Sequence, residues 1–324
     1  MPIRVNNPGL LTTIQDAGRY GFSHLGVSSC GAADATAFRI ANLILGNDEN
    51  AAALEMTLLG ATLEFDDAAL ITLTGADCDC RLNGEVAPMW QAIQVGPGDV
   101  LACAGMKTGA RAYLAVEAGF TVASVMGSAS TNLTGRFGGY YGRKLVKGDI
   151  LRVRKQRASP IQESAQKSAR KSARKARRLP TEALETLYPS GPIRVTRGAQ
   201  QEWFGGEAFE KLFLCAYAVS DDSDRSGVRL KGEAIRPRDA KQLLTDGIPL
   251  GAIQVPQDGQ PIILFVDQHT TGGYPKIANV IAADMHRIGQ LRPREQVRFS
   301  EVTIAEAIEL VRKQEEWLKR IFDS

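Results

Sequence analysis

Three short segments concentrate the residues whose types and spacing could do chemistry. Arg19 and His24 stand in Gly18-Arg19-Tyr20-Gly21-Phe22-Ser23-His24-Leu25-Gly26, ahead of Gly31-Ala32-Ala33-Asp34. Glycines at 18, 21, 26 and 31 let the backbone approach a ligand closely. A guanidinium suits a carboxylate or phosphate, and an imidazole exchanges a proton near neutral pH. The competing reading is a glycine-rich barrel corner with Arg19 paired to a nearby acid such as Asp16.

The second segment is Asp267-Gln268-His269-Thr270-Thr271-Gly272-Gly273-Tyr274-Pro275-Lys276. Beyond Pro275, Ile277, Val280, Ile281, Met285, Ile288 and Leu291 follow a helical spacing, which predicts a helix. Gln268, Tyr274 and Lys276 would then gather at a helix N-terminus, where unpaired N–H groups and the dipole favour an anion. The plain alternative is a capped helix start. The third segment, Ser220 to Gly227, places Asp222, Asp224, Ser226, Gly227 and Glu233 at EF-hand positions. Strand-like sequence precedes it where a helix is required, and Arg229 replaces the usual apolar residue. An aspartate-rich turn at Asp224 that holds Arg225 toward a site is the better account.

Other signals weaken on inspection. Cys78-Asp79-Cys80 has no second pair and no histidine nearby, which disfavours zinc, and no metal is expected. Cys30 lies in the glycine-rich segment without a nucleophile motif, so a buried or semi-exposed thiol is its default. His286 falls on the polar side of the expected helix and reads as a surface residue. Neither a Walker A loop nor a Gly-x-Gly-x-x-Gly after a strand is present, so nucleotide must be handled elsewhere.

The elements that must position these residues read as mainly β. Ala69–Thr74, Ala112–Val116, Ile193–Val195, Ala218–Ser220 and Ile262–Val266 are strand-like runs ending near glycine or aspartate turns. One helix follows Asp34, its expected N-cap, and stops at Gly46-Asn47. The turn phrase Val95-Gly96-Pro97-Gly98-Asp99-Val100-Leu101 recurs as Val146-Lys147-Gly148-Asp149-Ile150-Leu151. Such spacing points to barrels rather than a parallel sheet. Ile304, Ile308, Val311, Leu318 and Phe322 share a stripe on a C-terminal helix, expected to pack on the core, with a partner groove as the second use.

The chain has 324 residues, enough for two domains, and 44% hydrophobic residues, which excludes a disordered chain. Its formal charge of +3 conceals a division. Between Arg152 and Arg178 lie eleven of the 39 basic residues and one of the 36 acids. The remaining body therefore holds 28 basic and 35 acidic residues, a net charge of −7. The basic segment repeats Ser-Ala-Arg-Lys and lacks aromatics, which reads as an interdomain linker; nucleic acid is disfavoured as a partner. The expected domains are 1–154, a flexible linker 155–190, a second β domain 191–300 and a C-terminal helix 301–324. Five scattered cysteines, with no signal-like or membrane-spanning run, point to reduced thiols and a cytoplasmic location.

Longer phrases go further. Gly9-Leu10-Leu11-Thr12-Thr13-Ile14-Gln15-Asp16-Ala17-Gly18-Arg19, Gly109-Ala110-Arg111-Ala112-Tyr113-Leu114-Ala115-Val116 and Ser223-Asp224-Arg225 stand in the order of a known family. Gly251-Ala252-Ile253-Gln254-Val255-Pro256 and Thr270–Lys276 continue it. The chain resembles the 5-oxoprolinase C-subunit family, also called KipA-like or allophanate hydrolase subunit 2, within the biotin-dependent carboxyltransferase group. The resemblance implies two cyclophilin-like β-barrel domains and a direct partner, the 5-oxoprolinase B-subunit. Once the A-subunit joins them, the complex would hydrolyse 5-oxo-L-proline to L-glutamate at the expense of ATP. It also leaves two alternatives: a KipA-like regulator binding a kinase inhibitor that resembles the B-subunit, or a urea or allophanate carboxyltransferase component. The candidate site residues are Arg19, His24, Asp34, Asp224, Arg225, Gln268, Tyr274 and Lys276; of these Arg19, His24, Tyr274 and Lys276 are expected to line clefts that face the partner. The family's usual Ser-Gly-Ala-Met-Asp phrase here reads Cys30-Gly31-Ala32-Ala33-Asp34, which bears on the pocket wall.

Overall fold

Alternating apolar residues between glycine and aspartate turns give the first half its strands. They are β1 (Pro2–Asn7), β2 (Leu11–Gln15), β3 (Ala53–Thr57), β4 (Thr62–Phe65), β5 (Ala69–Asp77) and β6 (Arg81–Leu82). β7 (Glu85–Val86), β8 (Ala92–Val95), β9 (Val100–Ala102), β10 (Thr108–Val116) and β11 (Ile150–Arg152) complete the set. The computed structural model describes residues 2–154, 178–238 and 243–322, so most of the expected linker lies outside the described residues. These strands form a six-stranded sheet, β11-β1-β4-β9-β6-β7, and a five-stranded one, β2-β3-β10-β5-β8. Ile3, Val5, Leu63, Phe65 and Leu101 from the first join Leu54, Met56, Leu73 and Leu114 from the second in one core. Each is fully buried and contributes about 1.5–3 kcal/mol by leaving water.

The repeated turn phrase folds the same way twice. Asp99 accepts the Gly96 N–H at 2.6 Å, and Asp149 accepts the Val146 N–H at 2.8 Å. Helix α1 (Ala35–Leu45) starts as expected: Asp34 Oδ1 accepts the Ala37 N–H at 2.8 Å. Gly46, at φ 67°, ends it in the left-handed conformation that glycine adopts without strain. A second helix, α2 (Thr181–Leu187), occupies part of the expected linker and buries Ala183 and Leu187.

The chain divides into two compact units, Met1–Gly18 with Asp34–Leu187 and Arg19–Ala33 with Tyr188–Ser324. The glycine-rich piece 19–33 thus belongs with the second half, where a single cut near residue 154 would not put it. The second unit holds β12 (Ile193–Arg197), β13 (Tyr217–Val219), β14 (Gly227–Lys231), β15 (Asp246–Gly247) and β16 (Ala252–Gln254). It continues with β17 (Ile262–Leu264), β18 (Thr271–Gly272), β19 (Lys276–Val280), β20 (Gln296–Val297) and β21 (Phe299–Glu301). Eight of them make one sheet, β20-β13-β14-β17-β16-β19-β12-β21, and β15 pairs with β18 apart from it. Among the described residues three α-helices, α3 (Gly206–Leu214), α4 (Met285–Gly289) and α5 (Ile304–Phe322), accompany the strands. The mainly β architecture with few helices is the one the sequence implies.

Two expectations fail. The predicted helix after Pro275 is instead strand β19, hydrogen-bonded between β16 and β12, and the chain turns helical only at Ala282–Asp284, a 3-10 turn that leads into α4. Lys276, Ile277, Ala278 and Val280 are all buried, on both faces of the strand. A doubly buried strand loses its alternation and reads as an apolar run that a helical spacing also fits. His286 is buried at 5% exposure, with the Tyr188 ring 5.8 Å away, rather than on the surface.

The stripe of α5 meets the body less than expected. Leu318 is its one buried residue, while Ile304 and Ile308 are exposed. A capping box starts this helix: Thr303 N donates to Glu306 at 2.8 Å and Glu306 N to Thr303 Oγ1 at 3.2 Å. Among the described residues no helix is long and apolar enough to cross a membrane.

Candidate functional site

The aspartate turn does hold Arg225, and the structure shows toward what. Asp224 Oδ1 accepts the N–H groups of Ser226 and Gly227 at 2.7 and 3.1 Å, fixing the chain around Arg225. The Arg225 guanidinium forks onto Asp267, Nε to Oδ2 at 2.9 Å and Nη2 to Oδ1 at 3.0 Å. Nη2 also donates to the Gly31 carbonyl at 2.7 Å. Gly31 sits at φ 89°, so the left-handed bend that aims its carbonyl at Arg225 is one glycine takes without strain. Cys30, itself at φ 53°, donates its N–H to the Val266 carbonyl at 2.9 Å. Arg19 N donates to Ser29 O at 2.8 Å, and the Arg19 side chain is buried. Arg19, Cys30, Arg225 and Asp267 therefore form one buried polar group in the second unit. Burial first, and the Asp267 charge second, push the Cys30 thiol up to about 11. It stays protonated near neutral pH and is no nucleophile.

Lys276 and Gln268 converge on a different feature, the short pair β15–β18. Lys276 is buried at 2% exposure, yet its Nζ reaches Asp246 Oδ2 at 2.8 Å and the Gly247 carbonyl at 3.4 Å. That ammonium holds the Asp246 carboxyl below its usual range. Gln268 Nε2 donates to the Ile248 carbonyl at 3.0 Å, and Ile248 N donates to the Thr270 carbonyl at 3.0 Å. Gln268 Oε1 is buried and meets no donor among the described residues. Since β19 replaces the expected helix, an anion would meet this lysine and not a helix dipole. Asp246 is half exposed, so an incoming carboxylate can take its place on Nζ.

The remaining candidates fall elsewhere. His24 and Tyr274 are exposed in the second unit, on the turn Ser23–Leu25 and just before β19. Asp34 lies in the first unit. Besides capping α1, its backbone N–H donates to Tyr113 Oη at 2.7 Å, and Tyr113 Oη donates to Glu55 at 2.8 Å. Asp16, offered as a partner for Arg19, fastens the 128–130 loop of the first unit. It accepts from Ser128 Oγ at 2.6 Å, Ser130 Oγ at 2.5 Å and the Ala129 N–H at 2.5 Å.

Two features escaped the sequence reading. A cleft of about 730 Å³ in the first unit is lined by Phe120, Val122, Arg136, Tyr140 and Tyr141. Its signal was present in Gly135-Arg136-Phe137-Gly138-Gly139-Tyr140-Tyr141-Gly142, where aromatic and basic side chains sit on a glycine-rich loop. The other is a third thiol, Cys103, beside Cys78 and Cys80. A second Cys-x-Cys pair or a histidine would have marked such a cluster in the sequence; a lone cysteine brought in by the sheet carries no spacing.

Comparisons with known proteins fit this construction. Residues 25–301 match the family described as carboxyltransferase domain, subdomain A and B. The chain is 34% identical to the 5-oxoprolinase C-subunit of Escherichia coli K12, over 98% of this chain and 97% of that one. It is 36% identical to the Haemophilus influenzae protein of the same name, over 95% of this chain and 94% of that one. The crystal structure of Kluyveromyces lactis urea carboxylase superimposes with a TM-score of 0.87 at 30% identity. That match covers 99% of this chain but 29% of the larger enzyme. The chain thus belongs to the carboxyltransferase-domain family, subdomains A and B.

Proposed function

We propose that this chain is the C-subunit of an ATP-dependent 5-oxoprolinase, working in the cytoplasm with the A- and B-subunits to hydrolyse 5-oxo-L-proline to L-glutamate. The observation that carries the reading is the end-to-end likeness to two proteins that bear the 5-oxoprolinase C-subunit name. In the urea enzymes the corresponding region is one part of a much longer chain. Opening a stable lactam is uphill, so ATP supplies the coupling. With no nucleotide loop in this chain, ATP is handled by a partner. The chain's own contribution is to bind and orient. Lys276 holds the substrate carboxylate in exchange for Asp246, Tyr274 and His24 add exposed polar groups, and Arg225–Asp267 keeps the 28–31 segment in place. The test is reconstitution: ATP-dependent glutamate release from 5-oxoproline needs this chain together with the A- and B-subunits. Turnover by this chain alone, or full turnover by the other two proteins without it, refutes the assignment.

The overlay with urea carboxylase favours one second reading, a carboxyltransferase component acting on a urea-type substrate. It requires a biotin carboxylase and a biotin carrier in trans. Substrate-dependent loss of carboxyl from carboxybiotin, with no glutamate released, would select it.

A further inference from the structure

Cys78, Cys80 and Cys103 come from the turn after β5 and the end of β9, and the fold brings their sulfurs together. Sγ of Cys80 lies 2.8 Å from that of Cys78 and 2.7 Å from that of Cys103. All three lie within 4.8 Å of one another, in side chains 0%, 3% and 5% exposed. An extended Cys-x-Cys would hold its two Cα atoms about 6.6 Å apart, too far for such contact without a bend. The bend is present. Asp79, between them, adopts φ 42°, a left-handed conformation that aspartate tolerates better than most residues. Cys103 arrives by register: Arg81 pairs with Ala102 across β6 and β9, so one step back Cys80 faces Cys103. Gly60 leaves it room, since a Cβ at Gly60 would stand 2.3 Å from the Cys103 Cβ.

We propose that Cys78, Cys80 and Cys103 form a three-sulfur binding site for a thiophilic d10 cation, Cu(I) or Zn(II). Soft sulfur donors select such cations over magnesium or calcium, which take oxygen ligands. Three converging donors suit a single cation. One disulfide would use two of them and leave the third idle. Metal–sulfur bonds of about 2.3 Å in a trigonal array need sulfurs about 4.0 Å apart, so binding spreads the triangle by roughly 1 Å. Cysteine binds metal as thiolate, so loading the site releases protons and tightens as pH rises. Access is short. Ala104 and Gly105, next to Cys103, are exposed, and Arg81 and Lys107 flank Asp79 at 3.7 and 3.6 Å.

The test uses the full chain, reduced and handled without oxygen. Cu(I) and Zn(II) are supplied separately, each against a chromophoric chelator, with bound metal counted by elemental analysis. We expect one equivalent of one of these cations per chain, and X-ray absorption showing three sulfur neighbours. Cys103→Ser should weaken binding about a hundredfold or more. A Cys30→Ala/Cys215→Ala variant, which keeps the three thiols and so guards against misfolding of the core, should retain the full equivalent. No binding of either cation by the parent chain, binding that follows Cys30 or Cys215 instead, or fewer than three sulfur neighbours would overturn the proposal.

Discussion

Asp267→Ala removes one partner of a buried ion pair and leaves the other in place. Arg225 is 4% exposed and Asp267 9%, so neither charge has water as an alternative. The fork at 2.9 and 3.0 Å is the carboxylate half of the Arg225 hydrogen bonding, and Nη2 also reaches the Gly31 carbonyl. Deleting one partner of such a pair typically costs about 3–5 kcal/mol, because the surviving charge stays desolvated. For a unit of this size that lowers the melting temperature by about 10 °C. Trp203 and Trp317 lie in the second unit and Trp90 in the first, so fluorescence-detected melting, with Trp90→Phe as the reporting background, isolates the affected unit. A second readout is chemical. Without the Asp267 charge, the Cys30 thiol falls from its raised value, and its alkylation at pH 8 quickens. The double variant Arg225→Leu/Asp267→Leu should recover most of the lost stability, since the pair vanishes together. A loss below about 1 kcal/mol in the single variant, with unchanged Cys30 reactivity, would refute the reasoning.

Three further outcomes are expected. Asp16→Ala strips the acceptor from two serine hydroxyls and the Ala129 N–H, and should destabilise the first unit by about 3 kcal/mol in urea unfolding. Lys276→Met should leave the circular dichroism unchanged but raise KM for 5-oxoproline about tenfold or more in the reconstituted complex; an unchanged KM would remove Lys276 from the site. Because the Cys30 thiol is raised to about 11 from 9.0, the unfolded chain loses that proton first. Its contribution is complete below pH 9 and disappears as pH rises toward 11, a loss of about 2–3 kcal/mol. Other raised thiols and phenols lose stability over the same range, so chemical denaturation should show a fall about 2–3 kcal/mol smaller in Cys30→Ala than in the parent.

What the sequence made legible follows from how local each signal was. The Asp34 cap, the Gly46 stop and the paired aspartate turns at 99 and 149 are contacts within a few residues, and a reader of the chain finds them. Strand β19 was hidden because burial of both faces erased its alternation. The links that define the candidate site are long-range and carry no spacing. Arg225 meets Asp267 42 residues on, and Gly31 194 residues back. Lys276 meets Asp246 across 30 residues, and Cys80 meets Cys103 across 23. Residue type named Arg225, Gln268 and Lys276 as candidates. Only topology could supply their partners.

The two departures from the family phrase gain meaning from those partners. Ala33, where the family's phrase carries methionine, is 3% exposed and packs in the second core, so the exchange alters packing behind the 28–31 segment and not a solvent-facing wall. Cys30, where the phrase carries serine, sits 3.4 Å from Ser28 Oγ, and Asp267 is near enough to raise its pKa. A serine hydroxyl there would be a strong donor; a thiol is a weak one. The exchange therefore weakens the contact with Ser28, while Asp267 is held by the Arg225 fork, which fits the carboxylate bidentately. The raised thiol also stays neutral and adds no second negative charge beside Asp267. The substitution thus keeps the electrostatics of the buried group while weakening its hydrogen bonding.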